Sequence, residues 1–82
     1  MMVRIELLKL TEEEAVYKYF PEQEKEKYGI VAVNRSTGKR SIRQKLEEYT
    51  SEYAFQACRQ IERYIAKGDF KTSGMIAWYE NA

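Results

Sequence analysis

Apolar and polar side chains alternate near the start of the chain, where Val3, Ile5 and Leu7 are separated by Arg4 and Glu6. That is the period-2 pattern of a strand with one buried and one wet face, and it predicts a strand over residues 2–8. The next segment supports two readings. Thr11 and Glu14 have the spacing of a helix capping box, with Ala15, Val16, Tyr19 and Phe20 on one helix face. Against this, residues 15–20 are dense in aromatic and β-branched side chains and Pro21 follows them, which favours a strand over a short helix at residues 12–20. Residues 22–27 form a charged connector. Ile30, Val31, Ala32 and Val33 make an unbroken apolar run, so residues 28–34 are expected to be an interior strand buried on both faces.

Arg35-Ser36-Thr37-Gly38-Lys39 reads as a hairpin loop in which Gly38 supplies the positive φ of a type I turn followed by a bulge. The returning strand, 39–45, has one large apolar side chain, Ile42, among Arg40, Arg43 and Lys45. Such a composition suits an edge strand that charge protects from unwanted pairing. From Thr50 the period changes. Ala54, Cys58, Ile61 and Ile65 recur at helical spacing, and Phe55, Ala57 and Tyr64 widen the stripe. An amphipathic helix is predicted over about 51–67, with Thr50 or Ser51 as its cap and Gly68 as its left-handed stop. Residues 75–79 form a last apolar run, read as a strand with both faces apolar.

These elements predict a single α+β domain spanning 1–82: an antiparallel meander of three or four strands, a C-terminal strand, and one helix packed on one face. A helix of this length is roughly 25 Å long and 10 Å wide, whereas five strands make a sheet about 24 Å across with two faces. Two strands look apolar on both sides, so the uncovered face requires a shield: sheet curvature, the charged connector or a second copy of the chain. A homodimer formed through the sheet is the preferred expectation. Trp78, Tyr79, Val31 and Val33 are its candidate interface residues, Trp78 and Tyr79 because large rings anchor interfaces.

Charge changes this picture locally. The chain of 82 residues carries a formal net charge of +1, yet all six charged residues within 27–45 are basic: Lys27, Arg35, Lys39, Arg40, Arg43 and Lys45. A positive block of this kind can attract phosphate, and Tyr28 offers a ring for a base to stack on. Nucleic-acid binding by Arg35, Lys39, Arg40, Arg43, Lys45 and Tyr28 is therefore the alternative function. The isoelectric point of about 7.8 argues against a dedicated nucleic-acid module, which is usually far more basic.

Composition narrows the chemistry further. The absence of histidine removes imidazole bases, Ser-His and Cys-His nucleophiles and His-ligated metals. A single cysteine, Cys58, removes an internal disulfide and any cysteine-rich zinc site. It sits in the apolar stripe of the helix, where a thiol is a small hydrophobe rather than a nucleophile. Glu12, Glu13 and Glu14 fan apart in a strand or around a helix turn, and Glu22, Glu24 and Glu26 lack the spacing of a calcium loop. No cofactor, metal or catalytic residue is assigned. A ribonuclease drawing on Arg40, Arg43, Tyr28 and a carboxylate is the sole enzymatic alternative. No secretory leader or membrane span is visible, so the expected location is the cytoplasm. The expected function is a non-enzymatic protein-interaction or assembly module, whose partner is another copy of the chain or a different protein.

Overall fold

A computed structural model describes residues 1–79. Five strands, β1 (Met2–Leu10), β2 (Glu14–Pro21), β3 (Gly29–Asn34), β4 (Arg40–Gln44) and β5 (Ser73–Ala77), form one antiparallel sheet in the order β4-β3-β2-β1-β5. The helix α1 (Glu52–Lys67) packs across one face. The fold is α+β, as the patterning predicts. The first four strands are a meander, and α1 carries the chain from the β4 edge to the opposite edge, where β5 pairs with β1.

Residues 12–20 resolve in favour of the strand. Thr11 caps a tight turn instead of a helix: its Oγ1 accepts the backbone N–H groups of Glu13 (3.2 Å) and Glu14 (3.0 Å), and its own N–H donates to the Glu14 carbonyl (2.9 Å). The short polar residue that looked like a helix cap is satisfied equally well by a hairpin turn. The β3–β4 loop follows its sequence signal. Gly38 has φ 76°, and Asn34 Oδ1 accepts the N–H groups of Ser36 (2.8 Å) and Thr37 (2.9 Å).

In α1, Tyr53, Ala54, Ala57, Cys58, Ile61 and Tyr64 are buried. Phe55, expected to widen the apolar stripe, is 44% exposed. Ser51 occupies the N-cap position in a helical conformation and makes no side-chain cap bond. At the other end Gly68 has φ 67°, and the N–H groups of Gly68 and Asp69 reach back to the carbonyls of Ile65 and Tyr64. This is a Schellman-type stop.

The core lies between α1 and the strand residues of one parity: Val3 and Ile5, Ala15, Tyr17 and Tyr19, Val31 and Val33, and Ile76. Register places these residues beside one another across the sheet, for example Ile5 opposite Tyr19 and Tyr17 opposite Val31. Residues of the other parity face away from the helix. Here Val16, Phe20 and Ala32 are 4%, 5% and 2% exposed although no secondary-structure element of the described residues lies over them. Phe20 is shielded by the chain's own side chains. The Arg4 guanidinium lies 4.0 Å from the centre of the Phe20 ring, Tyr28 from the connector tilts against Phe20 at 5.5 Å, and Lys18 Nζ sits 4.6 Å over Tyr28. Long cationic side chains thus lay their stems over the apolar surface and keep their charges in water.

Candidate interaction surfaces

The six cations of the 27–45 segment do not form one patch. Arg40 lies opposite Val33 on the helix side and makes a bidentate pair with Glu62 of α1 at 2.7 and 2.8 Å. Arg43 sits at an irregularity in the β3–β4 register, on the opposite side of the sheet, and pairs with Glu14. Lys27 pairs with Glu48 at 3.0 Å. Arg35 donates to the Thr11 carbonyl at 2.6 Å and lies 4.7 Å over the Phe70 ring. Lys39 and Lys45 are exposed, Lys39 at the hairpin tip and Lys45 past the end of β4. Tyr28 is occupied by Phe20 and Lys18. Acidic residues distant in sequence fold back onto the basic hairpin, and the pairing leaves its mark on ionisation. The Arg40 guanidinium holds the Glu62 carboxyl below the ordinary glutamate range, and Arg43 does the same to Glu14. With Arg40 and Arg43 on opposite faces, these two residues and Tyr28 do not converge on one substrate position. Among the described residues, no three acidic or thiol side chains gather as a metal site.

The four candidate interface residues separate in the same way. Val31 and Val33 have no exposed surface and lie beneath α1, so neither is an interface residue. A run that is apolar at every position does not reveal which parity faces the helix, and here the outward pair is Ile30 and Ala32. Trp78 and Tyr79 fall outside β5, which ends at Ala77. Trp78 is half-buried, with its ring edge-on to Tyr53 at 5.3 Å, and its backbone exchanges hydrogen bonds with Met1 at 2.9 Å in each direction. Tyr79 is 94% exposed.

The two edges of the sheet differ sharply. The β4 edge carries Arg40, Arg43 and a register irregularity, two standard protections against strand pairing. The β5 edge, Ser73-Gly74-Met75-Ile76-Ala77, has no charged residue. Its ladder phase follows from the bonds at its two ends. Met1 and Trp78 exchange backbone bonds, and the Leu7 N–H donates to the Thr72 carbonyl at 2.8 Å. Alternation then turns the backbone groups of Gly74 and Ile76 toward β1, and those of Ser73, Met75 and Ala77 outward. No described residue pairs with these outward N–H and C=O groups. Met75 is 59% exposed beside them. The strand is held from behind by Ile76, packed in the core, and by Gly74, where a Cβ would collide with the Tyr64 hydroxyl. Sequence reasoning missed this edge because it placed residues 75–79 in the sheet without a neighbour. The signal available was the contrast in charge between the two runs expected at the sheet's margins.

A groove of about 320 Å³ lies between the β3–β4 loop and the second half of α1, with Val33, Ile65 and Ala66 among its lining. The polar groups at its rim already serve the protein: Asn34 caps its own loop and Glu62 holds Arg40. No helix of the described residues is long and apolar enough to cross a membrane. The chain matches no protein-family model, no curated protein and no solved structure.

Proposed function

We propose that this chain is a non-enzymatic protein-interaction module that recruits a β-strand along the β5 edge. The observation that carries this reading is the uncharged β5 margin, with the backbone groups of Ser73, Met75 and Ala77 directed away from β1 and Met75 exposed between them. An edge of this kind is a template for strand addition, in which main-chain bonds supply affinity and alternate side chains supply selectivity. The sheet face opposite the helix, the other surface that the sequence leaves open, is already dressed by Arg4, Tyr28 and Lys18. Phosphate binding by the basic hairpin draws little support from a geometry that commits Arg40, Arg43 and Lys27 to carboxylates.

The test is an NMR titration of the isotopically labelled chain with a peptide copying residues 71–79. Strand recruitment predicts chemical-shift changes centred on the amides of Ser73, Met75 and Ala77, and slower solvent exchange at those N–H groups. Shifts confined to the hairpin or to the Phe20–Tyr28 side, or none at millimolar peptide, would reject the reading.

A further inference from the structure

We infer that the strand recruited at this edge is β5 of a second copy, joined antiparallel about a two-fold axis through Met75. The inference rests on the strand-recruitment reading and names its occupant. Three features make β5 complementary to itself. The outward groups belong to Ser73, Met75 and Ala77, so an antiparallel copy centred on Met75 sets Met75 against Met75 and Ser73 against Ala77. Each such pair exchanges two N–H···O=C bonds. The strand contains no charged residue, so the two-fold opposes no like charges. The same operation on β4 would crowd Arg40 and Arg43 against a second set of cations.

The side chains fit as well as the backbone. Gly74 and Ile76 point to the helix side, and this register sets the small residue of each copy opposite the large one of the other. On the far side the two exposed Met75 side chains meet at the axis, giving apolar cover to a residue that is 59% exposed in the single chain. Continuing the register by two residues places Tyr79, 94% exposed, opposite Lys71 of the second copy. Lys71 bonds Asp69 at 2.9 Å, and its side chain is 60% exposed, so it is accessible to a ring. A two-fold perpendicular to the sheet keeps both helices on the same face and makes one continuous sheet. The joined edge is short, which places the dimer among the weaker associations.

Sedimentation equilibrium of the full chain over a concentration series tests this. The expected result is a monomer–dimer equilibrium with a dissociation constant on the order of 10 μM, predominantly dimer by about 0.2 mM. Met75→Pro removes an N–H that makes no bond within the monomer, at an edge position where proline is tolerated. It should weaken association by at least roughly tenfold. Met75→Lys keeps the amide but opposes two like charges at the axis, and it should do the same. Thermal melts of both variants at micromolar concentration verify that the monomer still folds. A full chain that stays monomeric while the 71–79 peptide still shifts the β5 amides overturns the second copy as occupant and leaves strand recruitment standing. A monomer that ignores the peptide removes both. A dimer unaffected by either substitution overturns the inference by placing the contact elsewhere.

Discussion

On the helix side of the sheet, Ile5, Tyr17 and Val31 lose all exposure beneath Ala54, Cys58 and Ile61 of α1. On the other side, Phe20 reaches 5% exposure under individual side chains, Arg4 and the connector's Tyr28, with Lys18 lying in turn over Tyr28. Both surfaces are dry, but the helix side is a packed layer in which each residue touches many others. The far side is covered by separate lids, single side chains such as Arg4 and Tyr28 over Phe20. A small chain with one helix can therefore bury apolar groups on both faces of a five-stranded sheet without a second layer. The β5 edge differs from both faces, because its outward main-chain groups pair with no described residue.

The contrast is most directly broken from the helix side. Ile61→Ala removes a fully buried side chain at the centre of the layer, and its cost should be about 3 kcal/mol, including the cavity left behind. Urea denaturation of the monomer measures it, and a loss below about 1 kcal/mol would mean that the helix layer is not the dominant core.

Alkaline pH probes the same layer without mutation. Burial pushes the Cys58 thiol from 9.0 up to about 11, and burial followed by the Tyr64 and Asp69 charges pushes the Tyr17 hydroxyl from 10.0 up to about 12. The unfolded chain releases these protons first. Stability contributed by the two groups is complete below pH 9 and declines as pH rises through 9 to 12. Melting temperatures that fall progressively across this interval, with native Cys58 resistant to alkylation at pH 8, are the expected result. Rapid alkylation of the folded protein would contradict the buried assignment.

Arg4→Ala tests a lid on the other face and should have the smallest effect. It removes the cation over Phe20 at a cost of about 1 kcal/mol, leaves the helix layer intact and increases binding of an apolar dye. A loss as large as that of Ile61→Ala would erase the distinction between layer and lid.

Much of this molecule was legible from local pattern. Alternation marked β1, Gly38 marked its hairpin loop, and the helical stripe with Gly68 marked α1, because each depends on residues adjacent in the chain. Phe55 was misplaced because it lies next to the buried Ala54 at the margin of the stripe, and a margin becomes core only where a strand passes over it. Val31 and Val33 read as interface candidates because an apolar run carries no parity of its own. Arg40 and Arg43 looked like one electropositive patch because their carboxylate partners, Glu62 and Glu14, lie far away in sequence.

The sequence by itself determined the strand and helix periods, the glycine-marked turn at Gly38 and stop at Gly68, and the need for cover on both faces of the sheet, all consequences of backbone period and side-chain type. Tertiary structure alone decided which parity met the helix, which cations were neutralised and which margin stayed open. Those outcomes depend on cross-strand register and chain return, which bring together residues that no local window contains.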